Sequence, residues 1–361
     1  MLLIRKVEAK IINTPIQVNF KTSYGEFPNY QSHLFVRITD EDGYTGIGEA
    51  SQLPFFTGET TAIMKNAIEN DLGPKIIGKN IFSLEEIHNE MNMALNPATG
   101  AKSAIDMALW DIKGKRLGVP VYKLMGGSEK NISLAYVLGE GVPEKMADLA
   151  LQKVEEGFKT IKVKVGLNPN KDIESIKLIR KAVGDNINIR IDANQGYTVK
   201  TAIQSIEKMS EYSIEYVEQP VPGWNIEGLA EIRRQIKVPI MADESVHSIH
   251  NALELIKQGA VDLFGIKLIK CAGVTHAMKI INLAEAAGIE FVLISPWDTM
   301  LGTNAGGHLS MLSSGNYSHE LVGPFYISDD PFESTLNANG YQPTQEPGFG
   351  LPDCFDQIKE K

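Results

Sequence analysis

Cysteine is almost missing from this chain: two residues, Cys271 and Cys354, in 361. So small a number excludes a disulfide-stapled fold and points to a reducing compartment. No stretch approaches eighteen uninterrupted apolar residues, so no membrane-spanning helix is expected. The opening MLLIRKVEAKII is interrupted by charge too early to be the apolar core of a signal peptide. Basic residues are in deficit, 35 against 45 acidic, for a net charge of −10. A nucleic-acid partner would ask for a basic face and is not expected. Clustered His and Cys of zinc-site spacing are lacking too. A cytoplasmic protein that meets neither membrane nor nucleic acid is the resulting expectation. What is present, 43% hydrophobic and 22% charged residues, is ordinary for a globular chain. Its length suits a barrel with a smaller domain.

Two textures divide the sequence. Residues 1–60 alternate as strands with turns, through HLFVRIT and the turn DEDGYTG, and GIGEAS at 46–51 reads as a turn in this front sheet. Residues 61–126 read as helices, with ATGAKSAIDMALWDIKGKRLG the clearest, ending at Gly118 before Pro120. From about residue 130, short apolar runs alternate with amphipathic segments: ISLAYVLG, TIKVKVG, INIRIDAN, IEYVEQP, VPIMADES, VDLFGIKLIK and IEFVLISPW. That alternation predicts parallel βα units closing into a TIM-type barrel, with active groups at the C-terminal strand ends. The expected domains are an α+β capping unit at 1–126, a barrel at 127–324, and a tail at 325–361 folding back on the cap.

Each predicted strand ends in a polar residue: Lys164, Asp192, Glu218, Asp243, Lys267 and Asp298, spaced by 24–31 residues. Taken singly, each acid reads as a helix N-cap. Six in phase predict a ring at one mouth of the barrel. Three converging carboxylates repel unless a cation sits among them, and oxygen donors alone suit a hard ion such as Mg²⁺. The run IKVKV places Lys162 and Lys164 on one face of a strand. A lysine acts as a general base only if its pKa falls towards about 7–8, and the neighbouring Lys162 ammonium is the expected depressor for Lys164.

KVK at 162–164, DANQGY at 192–197, VEQP at 217–220, ADES at 242–245 and GIKLIKCAG at 265–273 resemble the enolase superfamily, and within it the muconate-lactonizing-enzyme subgroup. The resemblance extends through SAIDMALWDIKGKRLGVPVYKLMGG in the front half. It implies a modified (β/α)₇β barrel under an α+β capping domain. It implies Asp192, Glu218 and Asp243 as Mg²⁺ ligands, and Lys164 and Lys267 as acid/base groups on opposite faces of the substrate carbon, with Lys162 tuning Lys164. Register favours Lys267 over Lys270. The implied reaction removes the α-proton of a small carboxylate substrate to give a metal-stabilised enediolate. Racemisation or epimerisation of an N-acylamino acid or dipeptide is the leading form, with muconate-type cycloisomerisation or hydroxy-acid dehydration as alternatives. The rival outside the class is a metal-independent Schiff-base barrel with a strand lysine as nucleophile. Members of the family commonly assemble, so a homo-oligomer is implied.

Dipeptide epimerases of the family carry Asp-x-Asp on the last strand; here Glu320 and Val322 stand there, a form closer to cycloisomerases and N-succinylamino acid racemases. Asp298 and its neighbour Trp297 are expected to meet the substrate or to support Lys267. The loops at 20–31 and 53–60 supply Tyr24, Phe27, Tyr30, Phe55 and Phe56 as an aromatic lid or as interdomain packing. Lys21 is the single base in the first loop, so a hydrophobic or modestly polar substituent is expected. His308 reads as a packed helix residue and Cys271 as a buried thiol.

Overall fold

The computed structural model describes residues 2–360 apart from Asn19, Phe27 and Pro296. The front half builds an antiparallel sheet from β1 (Ile4–Pro15), β4 (Tyr30–Asp40) and β5 (Thr45–Ser51), in the order β1-β4-β5. Between β1 and β4 a small hairpin, β2 (Lys21–Thr22) and β3 (Gly25–Glu26), projects from it. GIGEAS is therefore strand rather than turn. Its glycines serve the helix Thr99–Leu117 lying across the sheet. A Cβ on Gly46 would stand 2.2 Å from the Ala108 carbonyl oxygen, and one on Gly48 2.1 Å from that of Ala104. Glycine and alanine on the facing surfaces let the two backbones approach closely.

Seven parallel strands follow: β6 (Ala135–Leu138), β7 (Thr160–Lys164), β8 (Asn188–Asp192), β9 (Ile214–Glu218), β10 (Ile240–Ala242), β11 (Leu263–Ile266) and β12 (Glu290–Leu293). They pair strictly in chain order. Two parallel bridges, Ile294 to Glu320 and Leu134 to His319, close the sheet on itself. The 319–320 segment thus acts as an eighth strand, and the barrel is of the (β/α)₇β kind. The apolar residues Ile161 and Val163 of β7, and Val165 just after it, are buried on the face opposite Lys162 and Lys164, as the two-residue period of a strand requires. Inside, Tyr216, Met241, Leu263, Val292 and Ile294 form a separate apolar cluster. On β9, β10 and β11 the same parity leads from Tyr216, Met241 and Leu263 up to Glu218, Asp243 and Lys267.

Side-chain caps start the helices that follow β7, β8, β9 and β10: Asn168, Thr198, Asn225 and Ser248 each accept a bond from the first helical turn. Since those caps belong to other residues, Asp192, Glu218 and Asp243 are left for another role. The tail returns along both units. Gly348 bridges to Pro120 and Tyr341 to Ile132, while Arg37 pairs with Asp356 at 2.7 Å and lies over the Phe355 ring. Among the described residues, no helix is long and apolar enough to cross a membrane.

Candidate active site

Strand geometry brings the polar ring together. Lys162 and Lys164 lie on β7, Asp192 and Glu218 end β8 and β9, Asp243 and Lys267 directly follow β10 and β11, and Glu320 lies on the closing segment. Lys162 is fully buried among three carboxylates, 2.6 Å from Glu218, 2.6 Å from Glu320 and 3.0 Å from Asp192. Lys164 reaches the Asp192 Oδ2 at 2.5 Å. Lys267 and the buried Lys270 both bind Asp243. Beneath them, Glu320 also accepts from Tyr216 at 3.0 Å and from Arg190 at 3.4 Å.

These pairings alter the electrostatics expected of IKVKV. Burial disfavours the Lys162 ammonium, yet Asp192, Glu218 and Glu320 outweigh burial and hold its pKa well above the ordinary lysine value. Its charge is spent on carboxylates rather than directed at Lys164, so mutual repulsion is not the organising force. Lys267 is likewise raised, because Asp243, Glu244 and Glu218 overcome its burial. Among the acids, burial and the neighbouring Asp192 push Glu218 well above the carboxylate range. Burial also opposes ionisation of Asp192 and Asp243, but the paired lysines hold both below that range.

The residues able to hold a hard cation are those three buried acids. Among the described residues no ready-made cage of three His, Cys, Asp or Glu groups exists, since lysine ammoniums lie between the acids. The donor chemistry nevertheless fits. Among the described residues the buried Glu218 Oε1 has no hydrogen-bond partner, and an all-oxygen set of carboxylates suits a hard divalent ion.

Above the ring lies a cleft, open to solvent on one side, with about 580 Å³ of empty space. Lys162, Lys164, Lys267, Glu320 and Asn194 are its polar lining at the ring; Phe20, Trp297, Tyr326, Ile294 and Val322 are among its apolar wall. Trp297 meets Phe20 edge-on at 4.9 Å and lies 5.0 Å from Tyr326. Tyr24, Phe55 and Phe56 complete the rim, and the Phe56 ring covers the Lys267 ammonium at 4.0 Å. Tyr24 donates to Glu244 and accepts from Gln195 at 2.6 Å, and Ser23 donates to the Asn194 carbonyl at 2.6 Å. These bonds pin the β2–β3 hairpin over the barrel mouth.

Several expected residues fall elsewhere. Asp298 does not line the cavity. It accepts from Ser51 on β5 at 2.6 Å, and burial together with nearby Glu49 pushes its pKa up to about 7. It ties the barrel to the cap, and among the described residues it meets no lysine. Tyr30 is half exposed and outside the cavity. Phe27 lies outside the described residues. His308 is, as expected, a packed helix residue, buried and accepting from the Tyr122 amide at 3.2 Å. Conversely, Phe20, Asn194, Glu244, Ile294 and Tyr326 escaped the sequence reading. Asn194 and Glu244 sit inside quoted motifs, whereas Tyr326 comes from the tail and carries no local signal.

Comparison with known proteins agrees with this geometry. The family model for the mandelate racemase / muconate lactonizing enzyme N-terminal domain matches residues 3–126, and the enolase C-terminal domain-like model matches 145–352. The chain is 38% identical over 329 residues to a hydrophobic dipeptide epimerase of Enterococcus faecalis, covering 91% of this chain and 92% of that one. It is 36% identical to a chloromuconate cycloisomerase of Cupriavidus necator, covering 96% and 93%. The crystal structure of an N-succinyl Arg/Lys racemase from Bacillus cereus superposes with a TM-score of 0.93 at 31% identity, covering 96% and 95%. The chain therefore belongs to the mandelate racemase / muconate lactonizing enzyme family of the enolase superfamily, and is an isomerase of that metal-dependent class.

Proposed function

We propose that this enzyme epimerises or racemises a carboxylate-bearing amino-acid derivative, an N-acylamino acid or dipeptide with hydrophobic groups, using Lys164 and Lys267 as the two proton-transferring residues. The observation that carries this reading is that both lysines border one cavity while each is paired to a different carboxylate, Asp192 and Asp243. Bordering one cavity, the two can take a proton from one face of a carbon and return one to the other when their carboxylate partners release them and the lysine pKa falls. Asp192, Glu218 and Asp243 would hold the metal, read as Mg²⁺. Bound there, the ion supplies positive charge to a substrate carboxylate and so stabilises the charge left when the α-proton departs. Lys162, anchored by Glu320 from below, adds fixed positive charge on the same side.

The cavity wall supports the substrate class. Phe20, Trp297, Tyr326, Ile294 and Val322 present no free charge to a distal group, and Glu320 is taken up by Lys162, Arg190 and Tyr216. A hydrophobic side group gains from this wall. The Phe55–Phe56–Tyr24 rim, with rings 4.7–6.0 Å apart, excludes water from the proton-transfer site. Muconate-type cycloisomerisation remains the second reading, favoured by Val322 in place of an acid.

Incubation in D₂O with Mg²⁺ and a panel of N-acylamino acids, dipeptides and muconates separates the two. Racemisation or epimerisation washes deuterium into the α-position of substrate and product, whereas lactonisation consumes a diene without stereochemical inversion. Absence of α-exchange across the amino-acid panel would remove the first reading. Full activity after EDTA dialysis would remove both.

A further inference from the structure

A second cluster of chemistry-bearing side chains lies away from the barrel mouth, on the seam between cap and barrel. His88, on the cap helix Leu84–Ala94, and His276, on the barrel helix Val274–Ala286, touch with ring centroids 4.5 Å apart at 62°. Each ring has a buried nitrogen without a hydrogen-bond partner among the described residues, Nδ1 of His88 and Nε2 of His276. Buried unpartnered nitrogens are costly and call for a reason.

The surroundings define the state of His88. Its Nε2 meets the Asp106 Oδ1 at 2.7 Å, and Asp106 also accepts from the Thr275 amide at 2.9 Å and the Thr275 hydroxyl at 2.6 Å. A carboxylate with three donors places a proton on His88 Nε2, and in the neutral imidazole that leaves Nδ1 as the lone pair able to bind a metal. This is the carboxylate–histidine arrangement that orients a metal-binding imidazole. Glu85 stands three residues before His88 on the same helix face. Its carboxylate now pairs with Lys279 at 2.7 Å. At 68% exposure its side chain has room to turn away from Lys279.

We propose that His88 Nδ1, His276 Nε2 and Glu85 form a binding site for a borderline divalent cation such as Zn²⁺ or Co²⁺, which clamps the cap helix to the barrel helix. Imidazole nitrogen selects such ions over Mg²⁺, so the site is chemically distinct from the oxygen-only ring at the barrel mouth. Water completes the coordination sphere from the Glu85 side. Lys279 competes for Glu85, so occupancy requires that ion pair to open.

Co²⁺ titration of the full-length enzyme in excess Mg²⁺, which keeps the carboxylate ring occupied, tests the proposal. The expected result is one Co²⁺ per chain, a visible ligand-field absorption band of nitrogen-ligated Co²⁺ and a rise in Tm. His276→Gln is expected to weaken binding at least tenfold and remove the band, with turnover unchanged. Glu85→Gln, a surface change that leaves packing intact, is expected to weaken binding as well and serves as the readout should His276→Gln fail to fold. No band in the wild-type enzyme, or equal Co²⁺ affinity in wild type and Glu85→Gln, would overturn the site.

Discussion

Replacing Lys162 by Met probes the centre of the ring. The ammonium is fully buried and lies within 2.6–3.0 Å of Glu218, Glu320 and Asp192. Met keeps most of the volume but leaves three buried carboxylates short of positive charge. Removing one partner from a buried ion-pair cluster costs about 3–5 kcal/mol, which lowers Tm by roughly 5–10 °C in a chain of this size. Divalent cation should reverse much of this loss, because ion and ammonium answer to the same acids. Mg²⁺ stabilises the native state by RT ln(1 + [L]/Kd), and its increment should be larger in the variant by about 1–2 kcal/mol, since no ammonium competes for the carboxylates. The assay is thermal unfolding of wild type and variant in EDTA and across a Mg²⁺ titration. Turnover should fall at least about 100-fold, the scale for losing a fixed electrostatic group. Equal Tm in EDTA, or identical Mg²⁺ responses, would refute the view that Lys162 serves as the resident countercharge of the acids.

Asp298→Asn should flatten the pH dependence of stability. The folded pKa of Asp298 is raised from 3.8 to about 7, so its protonated form favours the fold; that contribution is full below about pH 4 and lost as pH rises through about 7. Denaturant unfolding at pH 5 and pH 8 should show wild type losing more stability over this interval than Asp298→Asn. Gly48→Ala should destabilise the cap by at least about 2–3 kcal/mol, because the new Cβ would stand 2.1 Å from the Ala104 carbonyl oxygen; urea midpoints check this. Tyr24→Phe removes the bonds to Glu244 and Gln195, each worth about 1 kcal/mol. It should raise KM several-fold with a smaller effect on kcat, measured by steady-state kinetics on the substrate found in the D₂O panel.

Much of the architecture was legible locally. The seven apolar runs became the seven barrel strands because a two-residue period and a following capped helix are properties of a few consecutive residues. For the same reason Lys164, Asp192, Glu218, Asp243 and Lys267 were found at strand ends. GIGEAS resembles a turn locally, but its glycines answer to a helix about sixty residues away, not to a local bend.

What the sequence by itself determined is the order of strands, the face on which each polar residue emerges and the family to which the motifs belong. Only the tertiary structure decided which charges meet. Closure through 319–320 brings Glu320 beside Lys162, turning an apparent lysine–lysine repulsion into a lysine held by three acids. The return of the cap sheet draws Asp298 to Ser51 and away from the cavity, and the tail contributes Tyr326 to its wall. Partners in a buried charge network are chosen by side-chain reach and shared desolvation between distant segments, and neither is written in the spacing of residues along a chain.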